Sequence, residues 1–231
     1  MSYMNAENLT KHYGSGEATV TAIDGVSFGI DTGEFVAIMG ESGSGKSTLL
    51  SMLGGLNSPT LGRFSVDGVE IYALTSDERA DFRKTSIGFV FQNFNLLPYL
   101  TLAENVMLPL AIINMGKKEK LSAAVDALSR VGLQGKAARL PNQISGGEQE
   151  RVAIARAIVN RPPIILADEP TGNLDTRTGA EIMKLLSALN HEGITVIMVT
   201  HSNDYAHYAS RLLRLSDGRL VGEETVNSGR G

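Results

Sequence analysis

Five consecutive apolar residues, Phe35-Val36-Ala37-Ile38-Met39, run directly into Gly40-Glu41-Ser42-Gly43-Ser44-Gly45-Lys46-Ser47, and Thr48-Leu49-Leu50-Ser51-Met52-Leu53 follows. An apolar run without alternation suits a strand buried on both faces, which requires a parallel sheet covered on either side. The glycine loop adds chemistry to that architecture. Gly40, Gly43 and Gly45 permit backbone conformations that side chains resist, so successive N–H groups can wrap phosphate oxygens at the positive end of the next helix. Ser42, Ser44 and Thr48 belong to the same cradle. Lys46 places a positive charge at the β and γ phosphates, and Ser47 offers a hydroxyl oxygen of the hard type that Mg2+ prefers. In a strand–loop–helix setting the pattern predicts a nucleoside triphosphate site.

The chain has 231 residues, 42% of them hydrophobic, enough for one domain with a sizeable core over residues 1–231. Its net charge of -4 provides no basic field, which argues against nucleic acid as a partner. Cysteine is absent, which excludes disulfides and thiolate metal sites. No basic-then-apolar leader is visible at the N-terminus, and no apolar run approaches the roughly 20 residues that span a bilayer. The expectation is a protein in the cytosol, or one held on a membrane by a partner.

Apolar β-branched runs recur at Phe35 to Met39, Ile87 to Phe91, Ile164 to Ala167 and Thr195 to Val199. Helix-period segments lie between them, with Leu121, Val125, Leu128 and Val131 in one and Ile182, Leu185, Leu186 and Leu189 in another. The alternation predicts an α/β layered fold. Earlier, Thr19 to Ile23 and Val26 to Ile30 read as short strands joined by an Asp24-Gly25 hairpin turn, so the N-terminal part is expected to be antiparallel β. The stretch from about 93 to 159 is mainly helical in pattern and interrupts the strand series. It predicts a helical subdomain inserted between core segments at about 1–92 and 160–231.

Two further segments carry chemistry. The strand Ile164-Ile165-Leu166-Ala167 ends in Asp168-Glu169, which places carboxylates at a C-terminal strand edge where ligands of open α/β sheets bind. Asp168 suits a hydrated Mg2+, and Glu169 can orient and polarise an attacking water. Ser145-Gly146-Gly147-Glu148-Gln149 opens a helix: Ser145 is a good N-cap, and the paired glycines bare N–H groups that could also clamp an anion. Residue types alone leave both readings open.

Taken together, these motifs resemble the nucleotide-binding subunit of ATP-binding cassette (ABC) transporters over nearly the whole chain. The resemblance implies an α/β P-loop NTPase cassette with a mixed core sheet, ATP and Mg2+ as cofactors, and ATP hydrolysis coupled to transport. Ser145-Gly146-Gly147-Glu148-Gln149 is similar to the signature motif, with Ile144 for the usual Leu and Glu148 where many members carry Gln. Gln92 matches the glutamine that reaches Mg2+ and the attacking water, and His201 the histidine that contacts the γ-phosphate. Asn173-Leu174-Asp175 matches the D-loop, and Tyr13 the aromatic residue that stacks on adenine. Catalytic roles thus fall to Glu169, His201, Gln92 and Lys46, and metal ligation to Ser47, Gln92 and Asp168.

The family resemblance also implies assembly. Two copies pair head to tail, so that Ser145, Gly146, Gly147 and Asp175 of one chain complete the ATP site of the other. The segment from Ile87 to Pro98, with Leu102-Ala103-Glu104-Asn105-Val106, resembles the branch of lipoprotein-releasing, macrolide-exporting and antimicrobial-peptide-resistance systems. That branch implies an integral membrane permease with a large extracytoplasmic domain, and a peripheral location on the cytoplasmic face of the cell membrane. Phe94, Leu96, Leu97, Tyr99 and Leu100 are then expected to line the groove for the permease's cytoplasmic helix. Two alternatives share the motifs: a membrane-bound regulator of a cell-envelope process that moves no substrate, and a soluble ABC ATPase scaffold.

Overall fold

A computed structural model describes residues 2–14 and 16–226. The chain opens with β1 (Met4–Tyr13) and β2 (Val20–Ile30), followed by β3 (Phe35–Met39) and α1 (Lys46–Leu53). Next come β4 (Leu61–Val66), β5 (Val69–Glu70), α2 (Ser76–Ser86) and β6 (Ile87–Val90). Helices α3 (Leu102–Met107), α4 (Lys117–Arg130) and α5 (Gly146–Ile158) precede β7 (Ile164–Asp168) and α6 (Thr176–His191). The chain closes with β8 (Thr195–Thr200), α7 (Asn203–Ala206), β9 (Arg211–Ser216) and β10 (Arg219–Thr225).

These strands form two sheets. The larger has the order β10-β9-β3-β8-β7-β6 and is mixed: β10 runs antiparallel to β9, and the other neighbours pair in parallel. The smaller, β2-β1-β4-β5, is antiparallel throughout. Every residue of β3 is buried, as its unbroken apolar run requires. Phe35, Ala37 and Met39 enter one core with Leu102 of α3, Leu128 of α4, Val152 of α5 and Ile182 of α6. Val36 and Ile38 point the other way, into a second core with Leu49 of α1 and with Leu9, Ile23 and Phe64 of the antiparallel sheet. A period of two is thus present in β3 but hidden, because both faces are apolar.

The Asp24-Gly25 hairpin does not form. The two expected short strands are one strand, β2, running alongside β1. Gly25 has φ 63, but Asp24 is not in the left-handed region, whereas a tight two-residue turn of the favoured type needs positive φ at both positions. The pair instead forms an irregularity opposite Thr10, where the Gly25 N–H donates to Thr10 Oγ1 and the Asp24 N–H to Gly218 O. Asp67-Gly68 (φ 50 and 76) and Asp217-Gly218 (φ 46 and 77) do meet the condition and close the β4–β5 and β9–β10 hairpins.

Helix α4 keeps the expected period with a rotated face. Ala124, Ala127 and Leu128 are buried, while Leu121 and Val125 are exposed. In α6, Ile182, Leu186 and Leu189 are buried as expected. Among the described residues no helix is long and apolar enough to cross a membrane.

Candidate functional site

Four parallel strands deliver their C-terminal ends to one cavity, the crevice where open α/β sheets bind ligands. The loop after β3 supplies Glu41, Ser42, Gly43 and Gly45, α1 supplies Lys46, Ser47 and Thr48, and the ends of β6, β7 and β8 supply Gln92, Glu169 and His201. The cavity measures about 700 Å³. Ala22 of β2 also lines it, and neither Ala22 nor Glu41 is singled out by the motifs. Glu41 lies inside the glycine pattern at a position that accepts any residue, and Ala22 arrives only through the packing of the antiparallel sheet.

Each glycine of the loop has its own reason. A Cβ on Gly40 would collide with the Leu215 carbonyl, and one on Gly45 with the Ala22 carbonyl. Gly43 has open space around it, but its φ of 83 favours glycine. Gly45 is the N-cap of α1 and provides no side-chain cap, which leaves first-turn N–H groups available to an anion. Lys46 is buried, and its Nζ donates to Gly40 O (2.8 Å) and Glu41 O (2.7 Å), which seats the ammonium within the loop. The Ser44 hydroxyl is buried without a protein partner.

At the end of β7, Asp168 Oδ1 accepts from the Ser47 hydroxyl at 3.0 Å, although Asp168 itself is not among the residues lining the cavity. Burial raises the Asp168 carboxyl above the usual carboxylate range; the Glu169 charge adds to this, while the Ser47 hydrogen bond and Lys46 oppose it. A hard hydroxyl beside a partly desolvated carboxylate is a donor set that fits Mg2+. Among the described residues no three His, Cys, Asp or Glu side chains converge into a self-sufficient metal site. A cation here would therefore draw its remaining ligands from water and phosphate, as Mg2+ commonly does.

Glu169 sits in the left-handed region at φ 47, a conformation that costs a non-glycine residue on the order of 1 kcal/mol. Its N–H donates to Val199 O at 3.0 Å, and its carbonyl accepts from the Gly172 N–H at 3.0 Å. The side chain is aimed at His201, whose Nδ1 lies 2.6 Å from Glu169 Oε2. A Cβ on Gly172 would stand 3.0 Å from Gln92 Nε2 and 3.4 Å from Glu169 Oε2, so the glutamine amide and the carboxylate both border this glycine. Asn173 Nδ2 then donates to Gln92 O (2.9 Å) and Asn93 Oδ1 (3.2 Å), tying the two loops together.

The remaining expected site residues lie outside the cavity lining. Ser145 caps α5, and Ser145 and Gly146 are exposed. Glu148 closes a capping box with Ser145 and pairs with Lys136; these contacts hold its carboxyl down at about 2. A Cβ on Gly147 would collide with the Thr178 methyl. Asp175 caps α6 by accepting from the Thr178 N–H (3.0 Å) and hydroxyl (2.6 Å). Thr178 therefore touches both the signature loop and the D-loop, a junction that no local pattern announces. Tyr13, 43% exposed at the end of β1, also lies outside the lining; Asn57 donates to its hydroxyl, and the Lys11 ammonium stands 5.2 Å from its ring centroid.

A second groove, about 420 Å³, is lined by Leu56, Arg83, Phe89, Phe91, Ile112 and Arg156 among others. Phe94, Leu96, Leu97, Tyr99 and Leu100 are not among its lining residues. Leu96 packs against the larger core, and the backbone groups of Leu97 and Leu100 are bonded to the buried Asn105 side chain.

Residues 23–172 match the family model described as ABC transporter. The chain is 52% identical over 217 residues to a macrolide export ATP-binding/permease protein, MacB, of Chlorobium phaeobacteroides, covering 94% of this chain and 33% of that protein. The chain spans about a third of the length of the MacB relatives it matches. An uncharacterised ABC transporter ATP-binding protein of Methanocaldococcus jannaschii is 46% identical, covering 97% of this chain and 99% of that one. Among solved structures, the dimeric post-hydrolysis state of the ATP-binding cassette MJ0796 bound to ADP and Pi superposes with a TM-score of 0.89 at 46% identity, covering 99% of both chains.

Proposed function

The chain belongs to the ABC transporter family, and on that premise we propose that it is an ATP-hydrolysing cassette that works as a head-to-tail dimer to power export through a membrane permease. The observation that carries this reading is the division of the phosphate-binding groups. Lys46, Ser47, Gln92, Glu169 and His201 share one cavity that the chain's own Ser145, Gly146 and Gly147 do not line. A second copy is the natural source of the missing clamp. The dimeric state of the solved cassette and the joined ATP-binding and permease parts of the MacB relatives support the same assembly.

The roles follow from placement. Loop N–H groups and Lys46 hold the triphosphate, and phosphoryl transfer then depends on positioning and charge stabilisation. Glu169 orients the attacking water and accepts its proton, while His201 fixes the carboxylate and Gln92 borders the same point. Mg2+ would be held by Ser47 and Asp168, with Gln92 close by, and would supply charge neutralisation of the β and γ phosphates. Tyr13 would stack on adenine, and Asp175 would act with the signature loop of its own chain across the dimer. A single nucleotide-binding domain is proposed, with its helical part at about 93–159. The permease would carry a large extracytoplasmic domain and seat a cytoplasmic helix in the groove beside Phe89 and Phe91, which places the cassette on the cytoplasmic face of the membrane.

Glu169→Gln tests the chemistry and the assembly together. The expected outcome is unimpaired ATP binding, turnover slowed at least ~100-fold, and an ATP-dependent dimer in sedimentation. Near-normal hydrolysis removes Glu169 from its role, and a monomer saturated with ATP contradicts the dimer.

A further inference from the structure

We propose that Arg156 is a positioning residue for Gln92: its guanidinium clamps the Phe94–Asn95 turn to α5 and so fixes where the Gln92 amide stands beside Glu169. The inference rests on reading the cavity as an ATPase site. Arg156 Nη1 donates to Asn95 O and Nη2 to Phe94 O, both at 2.6 Å. Phe94 and Asn95 both hold left-handed backbone, φ 57 and 50. Such a conformation is unfavourable for a non-glycine residue and persists only where its surroundings enforce it. The planar fork of one guanidinium, gripping two successive carbonyls, supplies that enforcement. The Phe94 N–H donates to Phe91 O at 3.0 Å, closing the turn around Gln92.

The loop thus has two external anchors. Asn173, from the connection that carries Glu169, holds the Gln92 carbonyl; Arg156, from the helix that Ser145 caps, holds the next turn. Charge reinforces the second anchor. The acid whose field reaches Arg156 is Glu150, fully buried on the same helix with neither carboxylate oxygen hydrogen-bonded. Burial pushes its carboxyl up, with the Arg156 charge opposing, and neither of its oxygens takes a hydrogen bond from the guanidinium. Hydrogen bonds from a cation are roughly twice as strong as neutral ones, and both go to the turn. Arg156 also lines the groove beside Phe89 and Phe91, so the same side chain borders the groove and holds the loop of Gln92.

The test compares steady-state ATP hydrolysis by the full chain with Arg156→Met, Arg156→Lys, Gln92→Ala and the Gln92→Ala/Arg156→Met double variant. Arg156→Met is expected to lower kcat about tenfold with the KM for ATP within about twofold, the pattern of a misplaced group. Arg156→Lys, which keeps the charge without the fork, should recover part of that loss, and the double variant should be no slower than Gln92→Ala alone. Independent, multiplying losses or a rise in KM alone would overturn the clamp. A slow Gln92→Ala beside a fully active Arg156→Met sinks this inference while leaving the ATPase reading intact; a fully active Gln92→Ala sinks the assigned role of Gln92 and the inference with it. Should Arg156→Met not fold, amide hydrogen exchange of Arg156→Lys decides: faster exchange confined to residues 93–97 supports the clamp, and unchanged exchange there overturns it.

Discussion

At the scale of single residues, side chains at a helix N-terminus are held by local hydrogen bonds and ion pairs. Glu148 shows how a neighbour of the signature glycines can serve structure. Its carboxylate accepts from the Ser145 backbone N–H at 2.9 Å and pairs with Lys136, and its folded pKa of about 2 lies below the ordinary 4.5. A depressed carboxylate pKa stabilises the fold fully above the unfolded value, and that contribution disappears as pH falls through the folded value. Glu148→Gln keeps a capping oxygen but removes the charge, so wild type should be more stable at neutral pH, by an amount on the order of 1 kcal/mol for a solvent-screened pair. Thermal melts should show the difference shrinking as pH drops from about 4.5 toward about 2. A difference independent of pH would mean that the carboxylate charge contributes nothing.

At the scale of elements, helices α5 and α6 approach each other at their N-terminal ends through Gly147 and Thr178, and farther along Arg151 pairs with Glu181. The Thr178 methyl occupies the space a Cβ on Gly147 would need, while its hydroxyl serves Asp175. Gly147→Ala should therefore push the two helix N-termini apart at a cost of about 1–3 kcal/mol, as overpacking does. Adding Thr178→Ser removes the methyl and keeps the hydroxyl, so the double variant should regain most of the lost stability in denaturant titrations. Failure of Thr178→Ser to rescue would place the conflict elsewhere.

The same scale explains what was legible in the sequence. β3, β6, β7 and β8 announce themselves because both faces are buried and the residues are almost uniformly apolar. β1, β4, β9 and β10 do not, because Asn5, Glu7, Arg63, Arg214 and Glu224 break their runs, and only pairing across the sheet makes them strands. The Asp24-Gly25 signal failed, since tertiary donors and acceptors at Thr10 and Gly218 decided the conformation at residues 24–25. The site divides the same way. Contiguous motifs such as residues 40–47 were readable, whereas the Glu169–His201 contact, the Thr178 junction and the Arg156 fork join residues distant in sequence and emerge only on folding.

At the scale of the whole molecule, Ser145, Gly146 and Gly147 stand apart from the cavity, and on the proposed function one chain would hold two halves of different sites. In the proposed head-to-tail dimer these halves are completed in trans. Complementation tests it most directly: Lys46→Ala and Ser145→Arg are purified separately, shown to be inactive alone, and mixed at increasing total concentration while ATP hydrolysis is measured. In a head-to-tail mixed dimer one site carries both defects and the other carries neither. Mixing is expected to restore turnover in a concentration-dependent way. If the mixture stays as inactive as its components while mixed dimers form, each site is completed within its own chain, and completion in trans is ruled out.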